Sequence, residues 1–195
     1  MRFHRPLTEL LGSPIRIDVL RALSRTRGEA LSGRELARRV SASPSQVNEH
    51  LGSLEAQGLV RSQTIGRVHA WSLSTEHALA APLQHLFEAE PAIFDQLRAR
   101  LEAVLRPLPI ERAILFGSVV RGDERPRSDI DLFVETRGKA EKEEVADALG
   151  RASQEFVLRF GNPLSNLILT RAEVERGSNP ELLASIEREG LRLRV

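Results

Sequence analysis

The chain has 195 residues, 41% of them hydrophobic and only 4% aromatic, with no Cys and a formal net charge of +1. That much apolar surface excludes a disordered chain and allows one medium domain or two small ones with cores of Leu, Val, Ile and Ala. The absence of Cys excludes disulfides, thiolate metal sites and a cysteine nucleophile. No run approaches the roughly eighteen apolar residues of a membrane span, and the Met1 end has no apolar signal core, so a cytoplasmic protein with no membrane partner is expected.

The small net charge hides an asymmetry. Through Thr75 there are 11 Arg and no Lys against 6 acidic residues, a net of +5, and the remainder carries −4. A basic first third on an acidic remainder predicts two domains with different partners, the basic one facing phosphates.

In chain order, SPIRIDVLRALSR places Ile15, Val19 and Leu23 on one helical face, with Ser13 and Pro14 as a start signal. LSGRELARRV follows with Leu36 and Val40 inward. In ASPSQVNEHLGSLEAQGLV, Ser43 is an N-cap, Pro44 suits the first helical position and Gln46 completes a capping box. Val47, Leu51 and Leu54 form the buried stripe of that helix, and Gly58 stops it. LVRSQTIGRVHAWSLS then reads as two strands around a turn at Ile65, Gly66 and Arg67. Three helices and a hairpin make a winged helix-turn-helix.

Opposite the apolar stripe lie Ser45, Gln46, Asn48 and Glu49, short polar groups able to approach base edges, while Arg38, Arg39, Arg61 and Arg67 are placed to meet phosphates. The competing reading is a protein-interaction module, because winged helices serve that role too. His50 is read as a helix contact rather than a metal ligand. From LGSPIRIDVLRAL through GRVHAWSL, about residues 8–75, the chain resembles the ArsR/MarR-type winged-helix repressors. The resemblance implies double-stranded DNA as partner, the helix from Pro44 to Gln57 in the major groove and the loop at Arg67 on the minor groove or backbone.

From Glu76 to Arg106 two amphipathic helices broken near Pro91 are expected, with Leu79, Leu83, Leu86 and Phe87 on one face and Ile93, Leu97, Leu101 and Leu105 on the next. A helix after a winged domain often dimerises it, so a homodimer is expected. His77 and His85 are read as packed or solvated.

In ERAILFGSVVRGDERPRSDIDLFVET a short buried strand from Arg112 to Phe116 breaks at Gly117 and Ser118, and SVVRG starts a helical turn. Its free backbone N–H groups make a phosphate seat, with Arg121 above it. Asp129 and Asp131, two residues apart on the next strand, project from one face. Carboxylates that close repel each other unless a cation lies between them, and oxygen ligands beside phosphates select Mg²⁺, or Mn²⁺. The competing reading is a polar strand end in a fold that has lost its chemistry.

The spacing GSxxRGxxxxxSDxDL resembles the signature of the DNA polymerase β-like nucleotidyltransferases, in particular the minimal (MNT-type) members, over about residues 110–195. The resemblance implies that Gly117 and Ser118 hold a nucleoside triphosphate, most simply ATP. Asp129 and Asp131 would coordinate the Mg²⁺, and Arg121 and Ser128 would support phosphate and loop. The implied reaction is attack of a hydroxyl, on a protein or RNA acceptor, at the α-phosphate with release of pyrophosphate. Active members add a third carboxylate from a later strand. In SNLILTRAEV that position falls to Asn166, or to Ser165 if the register slips, and Asn166 would serve as a neutral metal ligand that is no base. Glu135 and Glu173 are not obvious substitutes.

The expected fold is α+β in two domains: a winged helix-turn-helix at 1–75, a helical connector at 76–109, and a nucleotidyltransferase-type α/β domain with a small mixed sheet at 110–195. The expected function is a DNA-binding transcriptional regulator whose second domain binds NTP–Mg and transfers a nucleotidyl group. The alternatives are a catalytically weak nucleotide sensor and an antitoxin-like partner protein.

Overall fold

The computed structural model describes residues 4, 13–26, 28–125, 127–177 and 179–195. Contacts divide the chain into two compact units, Arg5–Ala92, and Met1–His4 with Ile93–Val195. Residues 8–12, at the start of the stretch read as winged-helix-like, lie outside the described residues.

The first unit contains α1 (Pro14–Ser24), β1 (Leu31–Ser32), α2 (Gly33–Arg39), α3 (Pro44–Ala56), β2 (Val60–Ile65) and β3 (Val68–Leu73). The α3 capping box forms as its sequence predicts: Ser43 Oγ accepts from the Gln46 N–H and the Gln46 side chain accepts from the Ser43 N–H. Val19, Leu23, Leu36, Val47, Leu51 and Leu54 are buried together. The hairpin gains a third strand, since β1 pairs antiparallel with β3 through Leu31 with Trp71 and Ser32 with Ala70. Two residues carry too little pattern to be read as a strand beforehand.

The break expected near Pro91 does not occur. One helix, α4 (Ala80–Leu105), contains Pro91 in its interior. Pro91 lacks the N–H that would meet the Phe87 carbonyl. Packing on either side of it holds the helix: Ala80, Leu83 and Phe87 pack in the first unit's core, and Leu97, Leu101 and Leu105 in the second's. Leu79 and Leu86, expected on the buried face, are instead 55% and 40% exposed. Leu79 precedes the helix, in a turn where its N–H donates to His77 Nδ1 at 3.1 Å.

The second unit continues with β4 (Arg112–Phe116), α5 (Ser118–Arg121), β5 (Ile130–Thr136), α6 (Lys139–Phe160), β6 (Leu164–Thr170), α7 (Arg171–Glu175), α8 (Pro180–Glu189) and β7 (Leu191–Arg192). The sheet order is β6-β5-β4-β7, with β5 and β6 parallel and the other pairs antiparallel. The sheet is therefore mixed, with α6 as the crossover between its parallel strands. Strand alternation sorts the residues by face. Ile130, Leu132 and Val134 pack with α6 residues Val145, Leu149 and Phe156. Ile114, Phe116 and Phe133 pack on the other face with Leu182, Leu183 and Ile186 of α8. Asp131 belongs to this second face. No described helix is long and apolar enough to cross a membrane.

Candidate functional site

The site grows from the β4–β5 ladder, where Phe116 pairs with Asp131. Immediately after Phe116 the chain must turn into α5, and Gly117 does so at φ 76°, ψ −158°, a conformation essentially reserved for glycine. A Cβ added at Gly117 would run into the Asp131 carboxylate, 3.0 Å from its Cγ. The backbone at the Gly-Ser corner and the carboxylate of β5 thus touch directly.

Asp129 is exposed just ahead of β5, and Asp131 is half-buried within it. Burial first, and then the charge of Asp129, push the Asp131 carboxyl above the usual carboxylate range, against a hydrogen bond from Ser165 and the positive charge of Arg121. Two neighbouring carboxylates, one exposed just ahead of β5 and one half-buried in it, fit a hard divalent cation completed by oxygens from elsewhere. Among the described residues no cluster of three or more His, Cys, Asp or Glu forms a full metal cage.

The strand that was expected to bring a third ligand brings Ser165. In the parallel β5–β6 ladder Asp131 pairs with Ser165 and Leu132 with Asn166. The pleat therefore puts Asn166 on the opposite sheet face from Asp131. This corrects the expectation that Asn166 joins the metal ligands: a one-residue difference in register reverses the face. The remaining acids are committed elsewhere. Glu135 is buried against Arg112. Glu173 accepts from the Thr170 N–H at 2.7 Å and from Lys142 at 2.9 Å.

The loop between α5 and Asp129 is tied down locally. Arg121 is exposed, with Nε 3.3 Å from Asp123 Oδ2. Ser128 Oγ accepts from the Arg125 N–H at 2.9 Å, so this hydroxyl shapes the loop. Asn162 donates to the Ser128 carbonyl at 2.6 Å, and His4 donates its backbone N–H to Glu124 at 3.1 Å. Sequence reasoning missed Asn162 and Glu124. The Gly161–Asn162–Pro163 stop after α6 was the available signal for the first, and nothing local marks the second.

In the first unit Ser45, Gln46, Asn48 and Glu49 are all exposed on α3. Gln46 Oε1 is taken up by the cap, accepting from Ser43 Oγ at 2.9 Å. Arg38 and Arg39 both reach Glu35, at 2.6 and 2.7 Å, and their hydrogen bonds hold the Glu35 carboxyl below its ordinary range. Arg67 sits at the hairpin tip and Arg61 at its base, both exposed. A groove of about 660 Å³ runs between α3 and the hairpin, with Asn48 on one side and Arg67 and Trp71 on the other. Arg34 also lines it and was not among the sequence candidates.

Family models match the two parts of the chain separately. Residues 97–192 match the model of the nucleotidyltransferase domain, and residues 11–63 match that of a helix-turn-helix domain. Among solved structures the chain is similar to ZitR, a zinc-responsive MarR family member from Lactococcus lactis, at 22% identity and a TM-score of 0.37, over 47% of this chain and 61% of ZitR. It is similar to a predicted DNA-binding transcriptional regulator from E. coli at 28% identity and a TM-score of 0.36, over 43% of this chain and 85% of that one. A third is MepR, a transcription regulator of the Staphylococcus aureus multidrug efflux pump MepA, at 18% identity and a TM-score of 0.39, over 51% of this chain and 70% of MepR. The chain thus spans about 61% of the length of ZitR. No curated protein matches it.

Proposed function

We propose that the chain, whose residues 11–63 match a helix-turn-helix domain and 97–192 a nucleotidyltransferase domain, is a DNA-binding transcription regulator whose second domain holds a nucleoside triphosphate with a divalent cation. The observation that carries the nucleotide half is the packing of the Gly117 corner against the Asp131 carboxylate, which leaves no room for a side chain between them. Backbone N–H groups at the Gly117–Ser118 corner would take phosphate oxygens, with Arg121 adding positive charge. Asp129 and Asp131 would hold Mg²⁺ or Mn²⁺, which when bound neutralises phosphate charge and aligns the α-phosphate. Ser165 orients Asp131 through its hydrogen bond. ATP is the proposed nucleotide.

Transfer to an acceptor hydroxyl, on a protein or RNA, also needs a base for the departing proton. Ser165 is neutral, and Glu135 and Glu173 are held by Arg112 and by Thr170 with Lys142. The arrangement therefore favours nucleotide binding with slow transfer, and a regulator that responds to nucleotide over an efficient transferase.

The exposed polar row of α3 and the basic hairpin tip support DNA as the partner of the first domain, with Arg34 added to Arg38, Arg39, Arg61 and Arg67 as phosphate contacts. A homodimer would present two such surfaces to a two-fold operator. The test is calorimetric titration of the full chain with ATP and Mg²⁺, repeated with Asp129→Ala. Binding that is lost in the variant supports the reading, and a chain that binds no triphosphate overturns it. Titration with duplex DNA at two salt concentrations tests the other half, through a sequence preference that survives added salt.

A further inference from the structure

Beside the Gly117 corner the second unit contains a cavity of about 150 Å³. Gly117 contributes to its wall while also touching Asp131, so cavity and carboxylate share one backbone atom group. The opposite wall is one face of α8. Leu182, Ser185, Ile186 and Glu189 recur at three- and four-residue steps and all line the cavity. Phe116, Leu182 and Ile186 make its apolar surface. Arg121, on the short helix that follows Gly117, adds positive charge to the lining, and Ser185 and Glu189 supply the polar groups of α8.

This α8 face is fixed in place. Ile186 is buried, and Gly190, which ends the helix, lies so close to Ile114 and to the Ile186 carbonyl that no side chain fits there. Arg112 pairs with Glu187 and so ties α8 to β4. A preformed cavity with polar groups on a rigid helix can select a ligand by shape and hydrogen bonding.

The lining restricts what enters. Glu189 pairs with Arg188 at 2.5 Å and its carboxylate only accepts hydrogen bonds, so a sugar hydroxyl, which can donate, suits it better than a phosphate, which cannot. The volume equals about five water molecules, which accommodates a small hydroxylated ring and not a nucleoside with its base. A ring that bears hydroxyls matches a carboxylate acceptor and a serine hydroxyl, and apolar side chains match its carbon face. We propose that this cavity takes the ribose of the nucleotide, with Glu189 and Ser185 hydrogen-bonded to the sugar hydroxyls while the phosphates extend past Arg121 to the Gly117–Ser118 corner. The assignment rests on the nucleotide reading of the site and adds to it a preference for ribonucleotides over deoxyribonucleotides.

The test is calorimetric titration of the full chain in Mg²⁺ with each ribonucleoside triphosphate, its 2′-deoxy and 3′-deoxy counterparts, and inorganic tripolyphosphate. The expected result is about tenfold tighter binding of the preferred ribonucleotide than of a deoxy form, as one hydrogen bond to a charged acceptor provides. In Glu189→Gln that ratio falls toward one and in Ser185→Ala it falls in part, while tripolyphosphate affinity stays unchanged in both. Equal affinity for ribo and deoxy forms in the unaltered chain, or a ratio untouched by Glu189→Gln, overturns the ribose assignment and leaves nucleotide binding standing. A chain that binds neither triphosphates nor tripolyphosphate overturns the nucleotide reading and the assignment with it.

Discussion

Gly117 and Asp131 meet across the β4–β5 ladder with no room for a side chain between them. Two independent penalties therefore fall on Gly117→Ala. Its φ of 76° with ψ of −158° is costly for any residue with a Cβ, and the methyl group would displace the Asp131 carboxylate. The expected loss is about 2–3 kcal/mol of stability in the second unit, read by urea denaturation. Triphosphate affinity should fall more than tenfold under conditions where the variant is still folded. An Ala variant with unaltered affinity would remove the Gly-Ser corner from the proposed site.

Asp131 gives a second prediction because its carboxyl is raised by burial and by Asp129. Its ionised form opposes folding. Stability that is fully present below the ordinary Asp range, near pH 4, is lost as pH rises through the higher value in the folded state. Asp131→Asn should therefore raise the melting temperature by a few degrees at pH 7, and the gain should vanish near pH 3. Mg²⁺ should stabilise the unaltered chain and leave the variant unmoved. Thermal melts at the two pH values, with and without the cation, check all three outcomes.

The sequence carried most of the fold because its punctuation agreed with its periodicity. Ser43 with Gln46, and Gly58 after α3 at φ 76°, each act where their chemistry predicts. It failed where an outcome depended on something outside the local window. Pro91 read as a break, and packing on both sides of it overrode that preference. Leu31 and Ser32 form a strand only because β3 is there to receive them. Asn166 and Ser165 differ by one position, and only the pairing with β5 decides which shares a face with Asp131. The motif Asp-Ile-Asp was read as two carboxylates on one strand, whereas only Asp131 lies in β5 and Asp129 sits just ahead of it, because the ladder with β4 and β6 decides where the strand begins. The α8 wall was not legible, because its residues lie more than sixty positions from Gly117.

Glu173 gives a prediction of opposite sign from Asp131. The Thr170 N–H, then Lys142 and the Thr170 hydroxyl, hold its carboxyl down to about 2. That depressed value means stability fully present above the ordinary Glu range near pH 4.5 and lost as pH falls toward 2. Glu173→Gln should be less stable than the unaltered chain at pH 7, with a difference that stays constant down to about pH 5 and narrows steadily below it. Urea denaturation at pH 7, 4 and 3 measures the narrowing. Because the same carboxylate caps α7, a difference independent of pH would show that the cap alone, without its charge, accounts for the contribution.

The last prediction concerns the first unit, where Arg21 Nε lies 2.6 Å and Nη2 2.9 Å from the two oxygens of Glu90. Both residues are nearly inaccessible, at 5% and 3% exposure, and the guanidinium also pairs with Asp18 and lies over the Phe87 ring. Burying two charges costs much of what their attraction returns, so the pair's main energetic effect appears when one member is removed. Arg21→Met should destabilise the unit by about 3–5 kcal/mol, because it leaves the Glu90 carboxylate buried without its bidentate partner. Arg21→Met combined with Glu90→Leu should recover part of that loss, since the double change removes the buried Glu90 charge and keeps the volume while Asp18 still loses Arg21. Equilibrium urea denaturation of the two variants separates the cases. If the double variant is as unstable as the single one, the pair itself stabilises the join between α1 and α4. Recovery would instead assign it to fixing which face of α4 meets α1.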